Sequence, residues 1–183
     1  MTMTISGSGT ITGLSAGGLP SASITQTNMA TGVGNTGPAF SANAGSGTTV
    51  TSGVNTKCAF SNEVFDTNNN YNNAGSTVGG VPAYAFLPTV PGYYQVSVNV
   101  NGAGSTATGR VTAIISKNGT NVFLGSTAPQ GNANNGYASV SGLIYMNGST
   151  DYIEAYGNIE GTGTLTMNGI NVNGFTAALV RGA

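Results

Sequence analysis

Short runs of alternating apolar and polar residues, separated by Asn-Gly dipeptides, constrain this chain more than any other feature. The clearest run is Tyr93 to Val100. Tyr94, Val96, Val98 and Val100 fall on one face; Tyr93, Gln95, Ser97 and Asn99 fall on the other. A period of two marks a strand whose faces meet different surroundings. Pro91-Gly92 supplies the turn before it. Further strands are expected over 110–117, 121–126, 137–146, 151–158 and 175–181, with earlier ones over 39–42, 57–65 and 83–87. Asn-Gly stands at 101–102, 118–119, 135–136, 147–148, 168–169 and 173–174. Both residues tolerate positive φ, which the tight hairpin turn requires. Asn118-Gly119 and Asn147-Gly148 each lie between two strong runs and are the best hairpin candidates. No long amphipathic helix is written in the chain. Eight to ten short strands at this spacing predict a sandwich, jelly roll or barrel.

Composition narrows the function. Only 5% of the residues are charged, the formal net charge is −1, and there is no His. Four cations cannot form the basic stripe that nucleic acid demands. A net charge so close to zero is a solubility hazard for a free monomer, and partner subunits covering the surface would relieve it. Cys58 is the single cysteine, so no internal disulfide forms, and Ala59 and Phe60 beside it predict a buried thiol. Lys57 should point to the opposite face. The start, MTMTISGSGT, reads as neither a secretion signal nor a membrane span. The expectation is synthesis in a cytoplasm, with the product soluble or joined to a particle there.

Residues 1–37 contain no charge and no aromatic residue. Ile5, Ile11, Leu14, Leu19, Ile24, Met29 and Val33 are spaced by Gly, Ser and Thr. Alone, such a segment buries too little to stay ordered. It reads either as an arm that orders against a neighbour or as a disordered tail. One helical turn after Ser23 is expected, where Gln26 completes a capping pattern. The domain proper is expected over 38–183.

Against that background, Pro91-Gly92-Tyr93-Tyr94-Gln95-Val96 resembles the Pro-Gly-x-Tyr-x-Phe strand of complement C1q-like globular domains. Pro38-Ala39-Phe40-Ser41-Ala42 is similar to their first strand, Lys117-Asn118-Gly119 to their central hairpin turn, 141–156 to their penultimate hairpin, and 175–180 to their closing strand. The resemblance implies an all-β jelly roll of about ten antiparallel strands, related to tumour necrosis factor and assembled as a homotrimer, here behind an extended N-terminal arm. A jelly roll joined to an arm such as Ile11-Thr12-Gly13-Leu14-Ser15-Ala16-Gly17-Gly18-Leu19-Pro20 resembles structural proteins of bacterial viruses, both capsid decorations and fibre tips. The chain lacks a collagen-like stalk and paired cysteines, so immune-type binding is not carried over.

The carboxylates Glu63, Asp66, Asp151, Glu154 and Glu160 read as surface groups rather than a catalytic pair, since Asp151 and Glu154 differ by an odd step on one strand. Asp66-Thr67-Asn68-Asn69-Asn70 is oxygen-rich, but one charge is little for calcium. Zinc would find no His and one thiol, and a serine triad has no base. No enzyme, cofactor or metal is expected. Tyr93, Gln95, Tyr145 and Phe175 are the expected trimer contacts. The loop carrying Asn69, Asn70 and Tyr71 is the candidate recognition surface, or else a plain variable loop. Two functions stay open. One is a trimeric cement protein on the capsid surface, whose arms bind the major capsid protein. The other is a fibre tip recognising a host surface glycan.

Overall fold

The computed structural model describes residues 37–128, 135–169 and 173–183. The chain divides into Met1–Thr36 and Gly37–Ala183. The arm residues Ile5, Ile11, Leu14, Leu19, Ile24 and Met29, and the turn after Ser23, lie outside the described residues.

Within Gly37–Ala183 the described residues form an all-β domain without a helix. In chain order its strands are β1 (Ala39–Asn43), β2 (Thr48–Val50), β3 (Thr56–Lys57), β4 (Asn62–Asp66), β5 (Ala85–Phe86), β6 (Gly92–Gly104), β7 (Ala107–Lys117), β8 (Thr120–Thr127), β9 (Asn135–Met146), β10 (Ile153–Thr162), β11 (Leu165–Met167) and β12 (Gly174–Gly182). One sheet runs β2-β11-β6-β12-β1-β4, with β9 also paired to β6; the other runs β3-β10-β7-β8, with β5 also paired to β10. Every pairing is antiparallel.

The alternation in β6 sets the layers. Tyr94, Val96, Val98 and Val100 are buried, while Tyr93, Gln95 and Asn99 face out, as the period of two predicts. Facing them from the second sheet are Val111, Ala113 and Ile115 of β7 and Ile153, Ala155 and Ile159 of β10. Together they fill the space between two sheets that would otherwise expose their apolar faces. An aromatic cluster belongs to the same core. Phe40 stacks on Tyr71 and on Phe86, each at 4.5 Å, and meets Phe175 edge-on at 4.8 Å. Cys58 packs its Sγ 3.8 Å from Met167 Sδ, and burial pushes the thiol pKa up to about 12.

Two sequence expectations about turns divide here. Asn118 (φ 52°) and Gly119 (φ 78°) join β7 to β8 in the two-residue turn that strand twist favours. Asn147-Gly148 does not make a hairpin. β9 pairs with β6 in one sheet and β10 with β7 in the other, so the chain crosses between sheets there. Asn147 Oδ1 accepts the backbone N–H groups of Ser149, Thr150 and Asp151, which lets a side chain organise the crossover in place of a ladder. Asn101-Gly102 and Asn135-Gly136 are not turns either. They lie inside β6 and β9, where Gly102 and Gly136 stand opposite each other. A Cβ on Gly102 would come within 2.7 Å of Ile159 and 3.0 Å of Val111, so this glycine serves sheet packing.

The run over 57–65 also divides. Thr56–Lys57 joins the second sheet and Asn62–Asp66 the first, with Phe60 buried between them.

Candidate functional site

The outward residues of β6 lie among the outward residues of its neighbours. Opposite Tyr93, Gln95, Ser97 and Asn99 stand Tyr145, Leu143, Ser141 and Ser139 of β9. On the other side Gln95 pairs with Ala178 and Ser97 with Thr176 of β12, and these pair in turn with Ala39 and Ser41 of β1. The result is a broad neutral surface of small polar and apolar groups. One end of it is apolar. Tyr93 (42% exposed) and Tyr145 (43%) approach with ring centroids 5.5 Å apart, beside Leu143 (53%) and Val180 (63%). Tyr93, Leu143, Val180, Arg181, Gly182 and Ala183 line a groove of about 590 Å3 there. Lys117 secures the rim. Its Nζ donates to the Tyr145 carbonyl (2.7 Å), lies 5.8 Å from the Tyr145 ring centre and pairs with Asp151 at 2.7 Å.

This surface carries three of the four expected subunit contacts. Tyr93, Gln95 and Tyr145 are exposed on it. Phe175 is not; it is fully buried in the aromatic cluster. In β12 the alternation turns Phe175 and Ala177 inward and Thr176, Ala178 and Val180 outward. The exposed residues that reading the chain failed to single out are Leu143 and Val180; their alternation with buried Ile144 and half-buried Leu179 was the available signal.

The expected recognition residues turn inward as well. Tyr71 is 7% exposed, its ring is stacked on Phe40 and its hydroxyl donates to the Phe60 carbonyl at 2.8 Å. Burial raises its pKa above the usual tyrosine range. Asn70 is buried too, donating to the Asn68 carbonyl (3.2 Å) and accepting the Thr89 N–H (3.3 Å). Only Asn69 of the three is exposed, with φ 56°. The oxygen-rich character of the segment has a structural use. Asp66 Oδ1 accepts the Asn68 N–H (3.1 Å) and Oδ2 the Tyr71 N–H (2.6 Å), so the carboxylate holds its own loop.

Two carboxylates expected at the surface are buried. Glu154 pairs with Lys57 Nζ, which also donates to the Ala83 carbonyl (3.3 Å). Asp151 takes Lys117, the Asn118 amide (2.8 Å) and the Asn147 N–H (3.0 Å). Burial works to raise the Asp151 pKa, but these hydrogen bonds and the Lys117 charge outweigh it and hold the group below the usual carboxylate range. Each buried acid has a cation against it, which offsets the cost of leaving water. Glu160 pairs with Arg110 at the surface. Asp151 and Glu154 are therefore engaged in holding the fold together, while the exposed Glu160–Arg110 pair only links neighbouring strands β10 and β7.

No family model matches the sequence, and no curated protein matches it. Solved structures do match. The chain aligns with the globular domain of zebrafish complement 1qA protein at 12% identity, covering 80% of this chain and 99% of that one, with a TM-score of 0.54. It aligns with murine APRIL at pH 5.0 at 12% identity, covering 76% and 98%, with a TM-score of 0.50. The fold is a C1q/TNF-like jelly roll. In this jelly roll the Pro91-Gly92-Tyr93-Tyr94 motif opens β6, the strand to which β9, β11 and β12 all pair. Pro38–Ala42 leads into β1, and 175–180 lies in β12, hydrogen-bonded between β6 and β1. Three of the motifs that carried the resemblance thus lie on neighbouring strands β6, β12 and β1 of the jelly roll's larger sheet, and Lys117-Asn118-Gly119 makes the β7–β8 turn of the smaller one. The supposed penultimate hairpin, with its crossover at Asn147, is the exception.

Proposed function

We propose that this chain is a non-enzymatic structural protein of a virus particle. Three copies associate through the neutral face of the larger sheet, and residues 1–37 anchor the trimer to a bacteriophage head as a decoration or cement protein. The observation that carries the reading is the Tyr93–Tyr145–Leu143–Val180 surface. Four large side chains, each more than two-fifths exposed, continue into an uncharged field of Gln95, Ser97, Ala178 and Thr176. Contiguous apolar surface of this kind marks a protein–protein contact, and Tyr is favoured there because it gives large area and one polar tip. The resemblance of the fold supports threefold symmetry for this association.

The arm supports the head-binding part through composition. Ile5, Ile11, Leu14, Leu19, Ile24 and Met29 punctuate a segment free of charge. Such a segment gains affinity by main-chain pairing along a partner's sheet edges, and three arms on one trimer add avidity. Binding the assembled shell but not its loose subunits stabilises the shell by mass action. In this reading the protein is made in the bacterial host and ends on the capsid surface, with the major capsid protein as partner.

The test uses the full chain with Ile11, Leu14 and Leu19 each replaced by Asp, mixed with phage heads stripped of the protein. The unaltered chain should co-sediment with heads and raise the temperature at which they release their contents. The triple variant should remain a trimer and do neither. Wild-type binding by the variant would contradict the arm's role.

A further inference from the structure

The geometry points to a binding site for an uncharged saccharide in the open cavity beside the Asn-rich loop, independent of where the protein sits on a particle. The cavity measures about 570 Å3 and is lined by Asn69, Asn73, Ala74, Val78, Gly79 and Val81, over the inward-turned Asn70, Tyr71 and Asn72. That volume lies in the range that holds small ligands.

The chemistry of the lining selects the ligand class. The exposed side chains Asn69 and Asn73 make no hydrogen bond among the described residues. Each amide offers a donor and an acceptor, the pairing a vicinal diol requires. Val78 is 54% exposed and Val81 half-buried, so the same cavity presents aliphatic surface to the C–H side of a sugar ring. No charged side chain lines the cavity among the described residues. An anionic ligand would therefore meet no cation, and a purely apolar one would leave the amides unpaired at a cost.

The walls are fixed before any ligand arrives. Asn72 Nδ2 lies within hydrogen-bond distance of the carbonyls of Ser76 (2.8 Å), Val81 (2.9 Å) and Pro82 (3.0 Å), and its Oδ1 accepts the Ala74 N–H (2.9 Å). Val78 and Val81 exchange backbone hydrogen bonds at 3.0 and 2.9 Å around Gly79-Gly80, both at positive φ. The buried amide thus shapes the cavity and leaves Asn69 and Asn73 free to contact a ligand. A rigid site loses less entropy on binding.

The experiment titrates the full chain with uncharged di- and trisaccharides of glucose, galactose and N-acetylglucosamine, followed by saturation-transfer NMR and by backbone amide shifts. At least one should give saturable binding, with shifts centred on residues 69–81. The double variant Asn69→Gly, Asn73→Ala keeps the positive-φ backbone and removes both amides. It should bind at least tenfold more weakly with an unchanged melting temperature. Uronic-acid or sialylated counterparts should bind no more tightly than the neutral sugars. Should the double variant fail to fold, the amide shifts of the unaltered chain decide. Absence of saturable binding, shifts confined to another surface, unchanged affinity in a folded variant, or preference for the anionic sugars would each overturn the assignment.

Discussion

Tyr93 and Tyr94 are adjacent in the chain, yet Tyr94 is fully buried and Tyr93 is 42% exposed beside Tyr145. Tyr94 meets Phe86 edge-on at 5.8 Å and donates its hydroxyl hydrogen to the Val90 carbonyl at 2.7 Å. Burial pushes its pKa up to about 12. Tyr94→Ala should lower the unfolding free energy by about 3–5 kcal/mol, the range for truncating a buried aromatic. Tyr93→Ala should change the stability of the subunit by less than about 1 kcal/mol and weaken its self-association instead. Denaturant titrations at several protein concentrations separate the two effects. Equal losses would contradict the division of labour.

Asp151 gives the pH prediction. Its folded pKa lies below the ordinary value of about 3.9. A depressed carboxylate contributes stability that is fully present above the unfolded pKa and is lost as pH falls through the folded one. Stability should therefore hold steady down to about pH 5 and fall progressively below about pH 4. Asp151→Asn should cost about 1.5–3 kcal/mol at pH 7, the value of hydrogen bonds to a charged group, and should flatten the acid limb. An acid limb as steep in the variant as in the parent would show that other groups carry it.

The edges of the two sheets meet at glycine. A Cβ on Gly125 of β8 would lie 2.1 Å from the backbone carbonyl oxygen of Ser139 on β9. Backbone cannot yield as a flexible side chain can. Gly125→Ala should force β8 and β9 apart and cost about 1–3 kcal/mol, as overpacking does. A melting temperature matching the parent's would mean that the approach is looser than described.

Much of the fold was legible because its signals are local. The parity of 93–100 follows from alternation alone, and the 118–119 turn from two residues that accept positive φ. The three-residue strands β2 and β11 were not legible, since Thr48–Val50 and Leu165–Met167 are too short to show a period. Asn-Gly misled where another constraint used the same residues. Gly102 makes room for Ile159, and Asn147 organises a crossover with its side chain. Phe175 and Tyr71 were assigned to surfaces because aromatic type alone does not tell core from interface. Their burial depends on Phe40 and Phe60, which are distant in sequence. The Lys57–Glu154 and Lys117–Asp151 pairs likewise join residues far apart in the chain, and nothing local announces them.

Light scattering on the purified full chain tests the central claim most directly. The account predicts a particle of three times the 18.1 kDa chain mass, dissociated by Tyr93→Lys combined with Tyr145→Lys. A stable single subunit at micromolar concentration, or a trimer indifferent to those two charges, would contradict it.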